Sequence, residues 1–226
     1  IRLSLVGSEM CIRDRRLTRQ NFNSEVPYEG SREKPFRFGS FTTMGEFYVE
    51  TGLNIIGMSD YKRILSLDSA MAVVQFKKDD VAYQRNYFIS YPANVLVMRF
   101  SADRPGKQNL IFSYAPNPVS TGSMVAQGDN GLVYSAALDN NGMKYVVRIQ
   151  AETKGGTLVN RNGKLTVKGA DEVVFYVTAD TDYKANFAPD FKNPKTYVGV
   201  NPVETTGQWL ANAVAKGYSA LLNEHY

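Results

Sequence analysis

Apolar and polar positions alternate with a period of two along most of this chain. Glu46-Phe47-Tyr48-Val49-Glu50 alternates and is stopped by Gly52. Tyr61–Leu67 and Ala70–Phe76 follow, the second rich in Val and Phe. A turn at Lys78-Asp79-Asp80 joins it to Val81–Ser90, which predicts a hairpin. Asn94–Ala102 and Asn109–Tyr114 are split by Arg104-Pro105-Gly106, where Pro and Gly suit turn geometry. Leu132–Leu138, Met143–Thr153, Thr157–Asn160, Lys164–Lys168 and Glu172–Ala179 continue the pattern. Their separators, such as Gly155-Gly156 and Asn160-Arg161-Asn162-Gly163, are strong turn signals. About ten short strands at regular spacing, with almost no helical period between them, predict a mainly β fold, a large antiparallel sandwich. A barrel is the lesser alternative, and no fixed-period repeat points to a propeller.

The period changes after Tyr183. Ala185–Val200 carries Pro189 and Pro194 and reads as a long extended connection. Asn201 can then cap a helix, Pro202 suits its first position, and Glu204 sits where a capping-box carboxylate reaches back. A helix from Pro202 to Lys216 should break at Gly217. Tyr218, Leu221, Leu222 and His225 then fall at i, i+3, i+4 and i+7, one apolar face of a second helix. That stripe has no evident partner in the sequence, so its expected partner is a downstream domain. Before Phe41, Arg16 onwards is polar and interrupted by Pro27, Gly30, Pro35 and Gly39, the composition of a loop.

Composition narrows the chemistry. Of 226 residues 43% are apolar and 21% charged, ordinary globular usage that excludes disorder as the main state. No run of apolar residues is long enough to span a membrane. The 26 basic and 22 acidic residues leave a formal +4 without clustering. Arg13, Arg15, Arg16 and Lys77, Lys78 read as solvated faces, and no nucleic-acid partner is expected. One cysteine, Cys11, permits no internal disulfide, and one histidine, His225, makes no metal site. A Ser-His-Asp or Cys-His arrangement would have to be built on the penultimate residue. Carboxylate chemistry or binding survives; histidine chemistry does not, and no cofactor is expected.

Residues 1–15, IRLSLVGSEMCIRDR, resemble translated sequencing-adapter DNA at the edge of a metagenomic assembly. As a signal peptide the segment fails, because Glu9 and Asp14 follow too short an apolar run. Without it, 23 basic and 20 acidic residues remain and Cys11 is lost, a composition that tolerates an oxidising compartment. The expected division is therefore 1–15 foreign, 16–41 a loop at a truncated start, 42–183 a β-sandwich, and 184–226 a connection with linker helices.

Several segments together resemble a known family. They are Phe38-Gly39-Ser40-Phe41-Thr42-Thr43-Met44-Gly45-Glu46-Phe47-Tyr48, Asp60–Ala70 (DYKRILSLDSA) and Tyr83–Ser90 (YQRNYFIS). Gly163-Lys164-Leu165 through Gly169-Ala170-Asp171-Glu172, Thr181-Asp182-Tyr183 and the closing Gly217–Tyr226 complete the set, in order along the chain. In these the chain is similar to the N-terminal domain of glycoside hydrolase family 95, the α-L-fucosidases, especially Bacteroidetes members. The resemblance implies an N-terminal sandwich, linker helices and then an (α/α)6 barrel that hydrolyses terminal α-linked L-fucose, often α-1,2, with inversion. Inversion needs a general acid and a separately activated water. In that family both belong to the barrel, past Tyr226, and the early segment with Gly-Asn-Gly and Asn-Glu motifs is absent. No catalytic residue carries over.

The expected partners are the chain's own downstream (α/α)6 domain and, for the parent enzyme, a fucosylated glycan. The expected compartment is periplasmic, secreted or cell-surface. Candidate domain-interface residues are Asp182, Tyr183, Trp209, Tyr218, Leu221, Leu222 and His225. Asp180 and Asp182 form a tempting carboxylate pair, but a sandwich-end loop using carboxylates to accept backbone N–H bonds is the simpler reading. Asp79-Asp80 is a turn former, and the 14 Tyr and 12 Phe suit strands without forming a glycan platform. Trp209, the only tryptophan, is read as interface packing rather than sugar stacking. The rival is a free-standing carbohydrate-binding sandwich or a purely structural secreted domain.

Overall fold

The computed structural model describes residues 43–225 apart from 140, 191 and 194. The readings of residues 1–15 and 16–41 lie outside the described residues. Twelve strands and one kinked helix are described: β1 Gly45–Glu50, β2 Met58–Ser66, β3 Met71–Lys78, β4 Val81–Ser90, β5 Val95–Ala102 and β6 Gln108–Pro116 in the first half. The second half holds β7 Ser120–Gln127, β8 Gly131–Leu138, β9 Lys144–Lys154, β10 Thr157–Arg161, β11 Lys164–Ala170, β12 Glu172–Thr181 and α1 Pro202–His225.

The strands form two antiparallel sheets. The smaller has the order β1-β6-β11-β10; the larger is β2-β3-β4-β5-β12-β9-β8-β7. Between them lies one aromatic core. Phe112 of β6 stacks on Phe175 of β12 with centroids 4.5 Å apart, and Phe100 meets Phe175 edge-on. Phe47, Tyr114, Tyr134 and Tyr145 extend the chain of ring contacts.

Alternation decides which face each side chain takes. In β6, Gln108, Leu110, Phe112 and Tyr114 are buried while their neighbours are more exposed, as a strand covered on one face requires. β12 differs: Val173 through Thr178 are buried at six consecutive positions. A strand buried at both parities must be covered on both faces. Val173, Phe175 and Val177 point to the sandwich core, whereas Val174 and Tyr176 join a second cluster with residues of α1.

Two-residue turns set the registers. Asp79 and Asp80 both adopt left-handed φ (50° and 57°) between the paired residues Lys78 and Val81. Asn162-Gly163 does the same between β10 and β11, with φ of 54° and 69°. Such turns match strand twist, and Asn and Gly tolerate the conformation best.

One strand is not predicted by the pattern. β7, reading STGSMVAQ, is an edge strand with six of its eight residues exposed, so it carries no alternating apolar signature. Gly122 fits there because a Cβ would fall 2.4 Å from the Cβ of Ala136 on β8. The opposite edge, β2, starts earlier than the pattern suggests. A register shift between Ser59 and Lys62 with Asp60 at φ 53° marks a bulge. Exposed Asp60, Lys62 and Arg63 make that edge a poor template for further pairing.

Candidate functional site

The helix and its seat on the large sheet hold most of the candidate residues. Asn201 caps α1, its Oδ1 accepting the Val203 N–H at 3.2 Å. The first run, up to Lys216, buries Thr206, Leu210 and Ala213. Thr178 Oγ1 donates to the Thr206 carbonyl at 3.0 Å. Arg148 of β9 clamps the same turn, Nε donating to Thr206 Oγ1 at 3.1 Å and Nη2 to the Val203 carbonyl at 3.0 Å. Burial pulls the Arg148 guanidinium below its ordinary pKa. Trp209 sits half-buried on this run.

The helix breaks where expected. Gly217 has φ 73° and ψ 168°, outside the helical region and open to glycine above all. Past it, Tyr218, Leu221, Leu222 and His225 turn onto the outer face of the sheet. Leu221 is fully buried in the cluster with Met71, Phe88, Val95 and Val97. Phe88 meets the Tyr218 ring at 5.9 Å and the His225 ring at 4.9 Å. His225 Nε2 donates to the Ser69 carbonyl in the β2–β3 turn at 2.9 Å. Thus the apolar stripe expected to await a downstream partner is covered by this chain's own sheet. The error has a plain cause: the outer face of β3, β4, β5 and β12 carries Met71, Phe88, Val95, Val97, Val174 and Tyr176, a second apolar surface that needs a cover.

Asp182 and Tyr183 lie where β12 ends. Asp182 is buried; its Oδ1 accepts the Lys144 N–H at 2.9 Å, and its own N–H donates to the Lys144 carbonyl at 2.9 Å. Its carbonyl accepts the Gly199 N–H at 2.6 Å, tying the returning connection to the strand end. Tyr183 bridges Val198 and stacks on Tyr197 at 5.9 Å, with its ring more than half exposed. Asp180 Oδ1 accepts the neighbouring Thr181 N–H. The two aspartates thus bond backbone N–H groups at the sandwich end.

An open cleft of about 750 Å³ lies between the kink and the sheet, lined by Arg99, Glu152, Glu172, Tyr176, Lys216 and Tyr218 among others. Most of its charged side chains have partners. Arg99 pairs with Glu172 and spreads over the Tyr218 ring at 4.9 Å. The Glu172 bond raises the Arg99 pKa above its usual value. Tyr176 donates to Glu152 Oε2 at 2.8 Å, and burial pushes the Tyr176 hydroxyl well above the usual phenol range. Lys216 is held by Glu224 at 2.7 Å. Among the described residues no group of three or more His, Cys, Asp or Glu could hold a metal ion. No described helix is long and apolar enough to cross a membrane.

Sequence reasoning missed the sheet residues that receive α1: Arg99, Arg148, Phe88, and Asn86, whose Nδ2 donates to the Tyr218 hydroxyl at 3.3 Å. Their signal was present: apolar side chains at both parities in Val95–Met98 and Val173–Val177 call for a cover on the outer face.

The family described as "Glycosyl hydrolase family 65, N-terminal domain" matches residues 10–186. This chain belongs to that family. The glycosyl hydrolase N-terminal domain match thus takes in β1 to β12 and ends just past Tyr183, ahead of α1. A curated relative, "Probable alpha-fucosidase A" of Aspergillus niger, is 29% identical over 203 residues. The alignment covers 85% of this chain and 24% of that protein, so the chain spans about a quarter of the relative's length. A solved structure, "Putative kojibiose phosphorylase from human microbiome", superposes with a TM-score of 0.51 at 12% identity. It covers 79% of this chain and 26% of that one, a likeness of fold. The chain is therefore an N-terminal β-sandwich domain of the glycoside hydrolases.

Proposed function

We propose that this domain is the N-terminal sandwich of a family 95 α-L-fucosidase, supporting a catalytic (α/α)6 barrel that follows it. The supporting observation is the 29% identity, over 203 residues, to an α-fucosidase of which the chain spans a quarter. In this reading the parent enzyme removes terminal α-linked L-fucose, often α-1,2, with inversion, outside the cytoplasm. The sandwich itself does no chemistry. Its carboxylates at the helix seam and strand end are held in structural pairs, whereas inversion needs two carboxyls about 6.5–9.5 Å apart across a sugar with room for water.

The test uses the chain as given and the same chain extended through the downstream residues its gene encodes. The extended protein should release L-fucose from a 2′-fucosylated oligosaccharide, with the first-formed anomer inverted by proton NMR. The 226-residue chain should release none. Phosphate-dependent cleavage of kojibiose by the extended protein, with fucosides left intact, would replace the fucosidase reading by a phosphorylase one, the activity named for the solved structure of similar fold. Fucose release by the 226-residue chain would sink the supporting role.

A further inference from the structure

We infer that the partner of this sandwich docks on one end of the large sheet, the end carrying the β2–β3 and β4–β5 turns and the exit of β12, rather than on α1. The inference rests on the proposal that a catalytic domain follows. Antiparallel pairing places these features together. β2 runs into β3 through residues 67–70, and β4 into β5 through 91–94. β12, antiparallel to β5, leaves the sheet at Asp182 on the same end.

Large apolar side chains are exposed there out of proportion. Leu67 is 84% exposed, Tyr91 88%, Ile89 61% and Leu65 61%. The connection that leaves this end after β12 shows Tyr183 at 57%, Phe187 at 99% and Val200 at 76%. Several large apolar side chains exposed at one end of a sheet point to an interaction site rather than scattered ordinary surface. Exposed Tyr91, Tyr183 and Phe187 are of the aromatic kind enriched at interface cores.

Chain direction selects the occupant. Beyond Gly217 the second helical run ends with His225 bonded to Ser69, inside the β2–β3 turn. Whatever follows residue 226 therefore starts beside Leu67. In the α-fucosidase relative, about three quarters of the length lies outside the matched stretch, enough for a domain to meet this end. α1 is the poorer candidate because its apolar face is already spent on the sheet. Residues 1–42 are the rival occupant the test separates; the Asn117 side chain and N–H bond the carbonyls of Thr43 and Met44 just before β7, at the far edge of the sheet from β2.

Hydroxyl-radical footprinting of the 226-residue chain and its gene-encoded extension separates these cases. Oxidation of Leu67, Tyr91 and Phe187 should fall about tenfold in the extended protein, as near-full exposure becomes interface burial. Ile55 and Ile56, exposed at the opposite end of β2, should react equally in both. In the extended protein, combined Leu67→Glu and Tyr91→Glu should split one thermal transition into two, while leaving the melting of the 226-residue chain unchanged. Protection at Ile55 and Ile56 instead, or at neither end, overturns the inference. Low reactivity of Tyr91 and Phe187 already in the 226-residue chain also overturns it, assigning the patch to residues 1–42. An extended protein that shows the footprint but cleaves no fucoside refutes the fucosidase reading and leaves the docking end standing. A gene that stops after Tyr226 removes both.

Discussion

Leu221→Ala isolates the second helical run. Leu221 is fully buried among Met71, Phe88, Val95 and Val97, so truncation to Ala should cost roughly 2–5 kcal/mol, transfer and cavity together. The loss should be felt locally, because Gly217 separates this run from the first by a non-helical residue. Leu221 is the one fully buried anchor of the run past the kink; half-buried Tyr218 and Leu222, the His225 bond to Ser69 and the Lys216–Glu224 pair support it. At about 1.4 kcal/mol per tenfold, amide exchange over residues 218–225 should quicken about 30-fold, and up to roughly 4,000-fold unless it first reaches the unprotected rate. Trp209 provides the internal control. As the only tryptophan, and on the first run, its emission in the native state should stay unshifted. Native-state hydrogen exchange read by mass spectrometry, with fluorescence alongside, makes the measurement. Rates over 218–225 within about threefold of the parent chain, below the bottom of that range, would refute the packing derived for Leu221. A shifted Trp209 emission would refute the uncoupling at Gly217.

Alkali should destabilise the domain through its buried tyrosines. Burial raises the hydroxyls of Tyr176, Tyr114, Tyr87 and Tyr145, so above about pH 10 the unfolded chain loses phenolic protons that the folded one keeps. Stability then falls as pH rises, by about 1.4 kcal/mol per pH unit for each such group. Tyr176→Phe should flatten the alkaline limb of a urea-midpoint profile, and an unchanged limb would count against the assignment. Gly217→Ala meets no atom within 4 Å but forces a Cβ into φ 73°, ψ 168°, so its cost should be roughly 1–3 kcal/mol of backbone strain in thermal unfolding. A loss under about 0.5 kcal/mol, no more than an ordinary surface change, would place the kink elsewhere. Ending the chain after Tyr183 should uncover Phe88, Val97, Val174 and Tyr176, worth about 1.5–3 kcal/mol each. That product should bind a hydrophobic dye and self-associate on a sizing column; a monomer melting like the parent would show that the helix is dispensable.

The sandwich was legible because most strands are covered on one face and print their period in the sequence, as β4 and β6 do. The β3–β4 turn was legible because Asp-Asp takes left-handed φ readily. The kink at Gly217 and the cap at Asn201 were likewise local chemistry, readable without a fold. β7 was not legible, since an exposed edge strand of small polar residues is selected for its fit against β8 rather than by alternation. The partner of the helix was hidden for a different reason. The apolar stripe of Tyr218, Leu221 and Leu222 states that a cover exists but not which one. That answer lies some 120 residues earlier, in the outer-facing parity of β4 and β5. A run such as Val173–Thr178 shows burial on both faces, and nothing local says that one face meets a sheet and the other a helix.

The polar groups at both ends of the helix's seat are held in pairs. Near the kink, Arg99 is committed to Glu172 and Tyr218, Glu152 to Tyr176, and Lys216 to Glu224. At the strand end, Asp182 is committed to Lys144 through both its carboxylate and its backbone, and through its carbonyl to Gly199. Groups fixed in such pairs rigidify their neighbours. What they produce is position. The helix crosses the outer face under Arg148 at one end, turns at Gly217, and ends at Ser69 beside the exposed apolar rim. In chain order the helix lies beyond the sandwich, yet in space it is the sheet's third layer. The sandwich and its helix thus fold as one three-layered unit whose chain leaves at the β2–β3 turn.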